Sequence, residues 1–437
     1  MNLATLAAMR AEEGRPVRAG LIGAGKFGSM FLSQVPTTLG LEVAAVADLS
    51  VDRARAACRT VGWPDEMIEA TAFVEDGAEL AARDDIEVVI EATGNPPAGV
   101  RHALAAIENG KHIVMVNVEA DVLAGAALSR RADEAGVVYS MGYGDQPALV
   151  SEMVDWARAC GFRVMAAGKG TRYLPGHHEL TPEGIWERFG FDAAACEADG
   201  MNPQMYNSFM DGTKSAIEMA AIANACGLAV PSDGLSFTPC GVDDLAEKLR
   251  PRPLGGVLEG PGMVEVVSDL ERDGTPVDRH LRWGVYVVIE APNDYAASCF
   301  DLYGLSTDST GQYAATYKPF HLIGMELNIS VFSAALRGEP TGQTLEFRGD
   351  PVAVAKRDLV VGDTLDGEGG YTVWGKLWPA EKSVAYGALP IGLAHGVKLT
   401  KPVKRGETVR WSDVAIEDNL AVSMRREMEG MLGGGEG

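Results

Sequence analysis

From Val17 to about Gly170 the chain alternates short, continuous apolar runs with longer stretches of helical periodicity. The runs "VRAGLIG", "LEVAAVAD", "IEVVIEAT", "KHIVMVN", "GVVYSMG" and "FRVMAAG" each fit a strand, and stretches such as 97–109 and 123–135 fit the helices between them. Strands that are apolar without alternation need cover on both faces, which crossover helices provide. The pattern predicts an α/β fold whose first part is a Rossmann-type, doubly wound parallel sheet. Residues 171–345 are mixed. They hold "FMDGTKSAIEMAAIANACGL", a Gly/Pro-rich section at 251–262, the strand "WGVYVVIEA", and "YKPFHLIGMELNISVFSAALRG", which reads as a turn into a long helix. After the polar joint "EPTGQTLEFRGDP" come β-rich runs, "VAVAKRDLVVGDTL" and "VKRGETVRWSDVAI". The expected order is an N-terminal arm (1–16), the Rossmann-type domain (17–150), a central α+β domain (151–345), a small β-rich domain (350–420) and a tail (421–437). Three domains suit 437 residues at about 150 each.

Charge narrows the partners. A formal net charge of −23 repels nucleic acid and anionic membranes, leaving a small molecule as the expected partner. No apolar run is long enough to cross a bilayer, and "MNLATLAAMRAEEGRPVR" reads as an amphipathic arm, not a signal peptide. The six cysteines are scattered with no CxxC pair, which fits reduced thiols in the cytoplasm.

The first chemical signal is "GLIGAGKFGSM". Gly23-x-Gly25-x-x-Gly28 follows a strand and opens a helix, so the turn around Lys26 and Phe27 is expected to bring backbone amides to a pyrophosphate. Asp48 ends the next strand, where a carboxylate pairs with ribose hydroxyls. That favours NAD over NADP, although Arg53 one helical turn later softens the discrimination. Ala92, Thr93 and Gly94 of "EATGNP" and Asn117 at the end of "KHIVMVN" lie at strand ends, where ligands collect in open sheets. Asn95 serves equally well as a helix cap.

The second signal is the charged start of an otherwise apolar helix. Asp211, Lys214 and Glu218, spaced three and four apart, share one face. Buried charges are costly unless paired, and they cluster where chemistry occurs. Lys214 and Lys169 (in "AAGKG") are candidate acid/base or electrostatic groups, with Asp211 and Glu218 positioning Lys214. Glu119 and Asp145 follow successive strands of the first domain and are expected to face one crevice. Plainer readings stand beside these: Asp211 as a cap, Ser215-x-x-Glu218 as a capping box, and Lys214 with Glu218 as a surface pair. Arg172 is a candidate anion ligand. His177-His178-Glu179 reads as a loop, because three adjacent residues cannot all aim at one metal, and His321 reads as structural. No metal site is expected.

"NGKHIVMVNVEADV", "SMGYGDQPA", "AAGKG" and "MNPQMYNSFMDGTKSAIEMAAIANACGL", in this order, resemble the homoserine-dehydrogenase-like oxidoreductases with a C-terminal SAF domain, over about residues 17–420. Within that family the chain is most similar to the deoxyxylulose-phosphate reductoisomerase-like branch. The resemblance implies an NAD(P)-binding domain, a catalytic and dimerisation domain, an SAF-like module from "AVAKRDLVVGDTL" and "PVKRGETVRWSDV", and hydride transfer at a CH–OH group. The apolar, Ala-rich helix suits a subunit contact, so a homodimer or homotetramer is expected, and a divalent metal is expected only for a reductoisomerase. Homoserine dehydrogenases have Asn-Lys where this chain has Asn117-Val118, and a Lys four residues after an Asp where Lys214 follows Asp211 by three. The competing account of another class is a sensor that binds NAD without turnover.

Overall fold

The computed structural model describes residues 2–198 and 201–432. Its contacts divide the chain into two discontinuous units: Met1–Glu152, His321–Glu346 and Asn419–Gly437 form the first, and Met153–Phe320 with Phe347–Asp418 the second.

In the first unit, β1 (Val17–Ile22), β2 (Leu41–Ala47), β3 (Ala72–Val74), β4 (Val88–Glu91), β5 (His112–Met115) and β6 (Tyr139–Met141) form one sheet in the order β3-β2-β1-β4-β5-β6. Every pairing is parallel, as the unbroken apolar runs predict. Pro96–Glu108 and Val118–Ala135 are two of the covering helices. The arm forms a helix, Leu3–Glu12, packed against the Asn328–Arg337 helix, which in turn contacts β1, β4, β5 and β6. Leu327, Val331 and Phe332 thereby join the core of β1, so this late segment completes the first sheet. The stretch read as a tail from 421 is instead mostly helix, Leu420–Met431, packed on Pro96–Glu108 and Val118–Ala135. Its Ala421, Val422, Met424 and Met428 are buried, and Glu427 reaches both Arg130 and Arg131. The glycine-rich end at 433–437 lies outside the described residues.

In the second unit, β7 (Arg163–Thr171), β8 (Thr238–Pro239), β9 (Met263–Ser268), β10 (Val285–Glu290), β11 (Ser306–Thr307) and β12 (Tyr313–Lys318) form a mixed sheet ordered β11-β12-β10-β7-β9-β8. "FRVMAAG", read as a strand of the first sheet, is thus the centre of the second; an apolar run shows that a strand is covered, not which sheet it joins. The 350–420 segment is β-rich as expected. β13 (Gly349–Ala355) pairs with β15 (Val373–Pro379), and β14 (Thr364–Asp366), β16 (His395–Leu399) and β17 (Val414–Ala415) form a small sheet. The Thr213–Cys226 helix contacts β7 and β9 on one side and β13 and β15 on the other. This explains why it is apolar nearly all round: strands of its own chain cover it.

Candidate active site

The dinucleotide turn is built by sterics. Gly23 sits at φ 98, and a Cβ there would come within 2.8 Å of the Ala92 carbonyl oxygen. A Cβ on Gly28 would lie 2.2 Å from the Gly23 carbonyl oxygen. Gly25, before the Lys26–Gln34 helix, differs: a Cβ there meets no atom within 4 Å, so this glycine borders open space at a helix N-terminus. Such a position suits the diphosphate of a dinucleotide. Lys26 is exposed and Phe27 half-buried beside it. Asp48 is buried; its Oδ2 accepts from Ala24 N at 3.0 Å and its Oδ1 from Ser50 N at 3.0 Å, and Arg53 pairs with it from an exposed position. Asp48 thereby joins the ends of β1 and β2.

The loops after β4 and β5 are tied together. Asn95 caps Pro96–Glu108, and Asn117 caps Val118–Ala135 while its Nδ2 donates to the Asn95 carbonyl at 3.0 Å. Between them run Ala92, Thr93 and Gly94. The sequence reading missed Glu91, wholly buried at the end of β4, whose Oε1 accepts from Thr93 Oγ1 at 2.6 Å and from His102 Nδ1 at 3.1 Å. Its signal was a carboxylate closing an apolar run. Glu119 and Asp145 are both buried after β5 and β6, and Asp145 Oδ1 accepts from Gln146 N at 2.7 Å. These residues fit an NAD(P) molecule: glycines that admit a phosphate, and a carboxylate at the ribose position.

In the second unit, β7 carries Lys169 to the sheet face under the Thr213–Cys226 helix, where it forms a close ion pair with Glu218. The two side chains are only 8% and 5% exposed. Burying both charges is tolerated because each is the other's counter-ion. Lys214, half-buried, lies one turn before Glu218 on the same face. Asp211 is wholly buried and pairs with a residue the sequence reading passed over: Lys356 Nζ donates to Asp211 Oδ2, the Leu180 carbonyl and the Gly370 carbonyl, each at 2.7 Å. Burial pushes the Asp211 carboxyl up, against the pull of Lys356 and Thr213. Asp211 Oδ1 accepts from Thr213 N at 2.9 Å, while Gly212 at φ 92 occupies the cap position itself. Asp211 therefore caps from one residue further out.

Arg172 donates to the buried Asp269 (Nη2 to Oδ2, 2.9 Å), and Arg282 lies 3.8 Å from the same carboxylate. His177 is buried, and burial lowers it to about 4. His178 stacks on Trp374 at 3.8 Å, and its Nδ1 donates to the Asp211 carbonyl oxygen at 2.6 Å. Among the described residues no group of three or more His, Cys, Asp or Glu is placed to hold a metal ion, and no helix is long and apolar enough to cross a membrane. A buried ammonium–carboxylate pair can deliver or withdraw a proton at a substrate oxygen.

Two family models match parts of the chain. Residues 17–143 match the family model described as an oxidoreductase family with an NAD-binding Rossmann fold, and residues 144–327 match the catalytic domain of oxidoreductase DRL. A homoserine dehydrogenase of Neisseria gonorrhoeae is 37% identical over 112 residues, 24% of this chain and 23% of its own length. The chain thus spans about a quarter of the curated relative it matches. Among solved structures, a myo-inositol dehydrogenase from Lactobacillus casei with NAD(H) and myo-inositol aligns over 39% of this chain and 50% of its own (19% identity, TM-score 0.30). The WlbA dehydrogenase of Bordetella pertussis with NADH and UDP-GlcNAcA covers 36% and 48% (19% identity, TM-score 0.29). Residues 17–143 thus match a model of an NAD-binding Rossmann fold and residues 144–327 a model of the DRL catalytic domain, each over less than half of the chain.

Proposed function

We propose that this oxidoreductase transfers a hydride between NAD, or NADP as the second choice, and a small polyhydroxylated or amino-acid-like alcohol, phosphorylated or not. The buried Lys169–Glu218 pair carries the proposal. In the reducing direction, hydride adds to the carbonyl carbon and the Lys169 ammonium gives its proton to the oxygen; oxidation reverses both steps. Glu218 positions the Lys169 ammonium for that transfer, and Lys214 lies on the same helix face as Glu218. Two guanidinium groups, Arg172 and Arg282, share the single carboxylate of Asp269, which leaves a positive charge for an anionic substrate group. A cytoplasmic homodimer or homotetramer is part of the proposal, tested by mass in solution.

The test is a panel of polyols, sugar phosphates and hydroxy amino acids, assayed with NAD and NADP on wild type, Lys169→Met and Glu218→Gln. A positioned acid contributes about 10²–10⁴-fold, so Lys169→Met should lose at least about 100-fold in kcat at unchanged NADH affinity. An active Lys169→Met variant refutes the assignment. Cofactor binding with no turnover on any alcohol would favour the sensor. The homoserine dehydrogenase relative places homoserine in the panel, and deoxyxylulose phosphate with a divalent metal tests the reductoisomerase reading.

A further inference from the structure

The second unit holds a cavity of about 190 Å³ that the proposed chemistry does not use. Its wall includes Gly212 and Ala216 at the start of the Thr213–Cys226 helix, His178, Phe237, and Trp374 with Lys376 from β15. Ala216 is two residues from both Lys214 and Glu218, a turn of about 200° at helical spacing. The cavity therefore lies on the side of this helix away from the Lys214–Glu218 face.

The walls are held rigidly and at a cost. Phe237 takes φ 50, a left-handed conformation unfavourable for a bulky residue, and it stacks on Tyr173 at 4.2 Å. The preceding Ser236 N–H donates to both oxygens of Glu265 at 2.9 and 3.2 Å. Glu265 is buried, and burial raises its carboxyl to about 6. On the other side, Asp211 and Lys356 fix the turn leading into Gly212. Strained backbone and buried charge around one concavity are the features that accompany ligand sites.

The chemistry of the lining selects the ligand. Aromatic faces form the body of the cavity, and burial disfavours the protonated His178 ring, against the opposing pull of its Nδ1 hydrogen bond to the Asp211 carbonyl. At the rim, Lys376 pairs with Asp233 at 2.8 Å. Lys382, outside the lining, lies 3.8 Å from the same carboxylate and donates to the Ser232 carbonyl at 2.8 Å, so Asp233 is shared and Lys376 is left able to take a second carboxylate. The volume equals that of about six waters at ~30 Å³ each, which suits a ligand of roughly six to ten non-hydrogen atoms. We propose that this cavity is a second ligand site, for a small planar organic monocarboxylate whose ring lies against Trp374 and Phe237 and whose carboxylate displaces Asp233 from Lys376.

The test uses the full chain with benzoate as probe and benzamide as its neutral counterpart, read by tryptophan fluorescence and by thermal shift. Benzoate should bind saturably at millimolar concentration and benzamide should not. Trp374→Phe should abolish the fluorescence change. Lys376→Met should weaken benzoate at least about tenfold, the loss of one charge-assisted hydrogen bond. Asp233→Asn, at an exposed side chain that folding does not need, should bind benzoate more tightly because the internal competitor is gone. Lys169→Met should bind it as wild type does, which separates this site from the proposed reaction. Equal binding of benzamide, no saturable response to benzoate, or Asp233→Asn binding no tighter than wild type would each overturn the proposal.

Discussion

Replacing Lys356 by methionine removes an ammonium 2% exposed that makes three hydrogen bonds at 2.7 Å, one to Asp211 and two to the carbonyls of Leu180 and Gly370. The carboxylate left behind has no exposed surface to rehydrate. Breaking a buried pair from one side costs about 3–5 kcal/mol, and each carbonyl deprived of its donor adds about 1 kcal/mol. The expected loss is therefore about 5 kcal/mol or more, a large share of the roughly 5–15 kcal/mol that holds a domain folded. The sign of the pH dependence follows from the direction of the shift. The Asp211 carboxyl is already raised by burial, and loss of Lys356 raises it further. A raised carboxyl keeps its stability at low pH and loses it as pH climbs towards the folded-state value, so the deficit should grow as pH rises and shrink as it falls. Thermal and urea unfolding of wild type, Lys356→Met, Asp211→Asn and the double variant provide the assay. The double variant should be more stable than Lys356→Met alone, because no unpaired charge remains. A Lys356→Met loss under about 1 kcal/mol, or additive losses in the double variant, would refute the reasoning.

Three further outcomes follow from the first unit. Gly28→Ala sets a Cβ against the Gly23 carbonyl, so it should cost about 1–3 kcal/mol in thermal unfolding and weaken NADH binding together. Asn117→Ala loses a cap worth about 1 kcal/mol and the tie to Asn95, and it should loosen NADH binding where Asn117→Asp retains the cap. Asp121, buried and bonded by Tyr139 and Thr344, has its carboxyl raised by burial from 3.8 to about 6. Wild-type stability should fall as pH rises from about 4 through 6, by at most about 3 kcal/mol, and Asp121→Asn should flatten that slope in urea titrations across pH.

What the sequence displayed and what it hid divide along physical lines. The Gly23–Gly28 turn and Asp48 were legible because glycine sterics and strand-end placement are local. The apolar Thr213–Cys226 helix announced its burial, but not that β7 and β9 lie on one side and β13 and β15 on the other. Membership of β7 in the second sheet, and the return of 321–346 and the last helix to the first unit, depend on long-range contacts with no local mark. The ion-pair partners were hidden for the same reason: Asp211 meets Lys356 across 145 positions and Glu218 meets Lys169 across 49. A signal did exist. Glu265 in "MVEVV" is a single charge in an apolar strand run, a site where burial forces a specific partner, whereas Lys356 opens the charged triplet after "AVA" and carries no such mark.

The most direct measurement is a fluorescence titration of NADH and NADPH against wild type and Asp48→Ser. Saturable binding with NADH preferred, and that preference lost in Asp48→Ser, is the predicted result. NADPH binding as tightly as NADH in wild type would contradict the role given to Asp48, and no saturable binding of either nucleotide would contradict the account of the Gly23–Gly28 turn as its site.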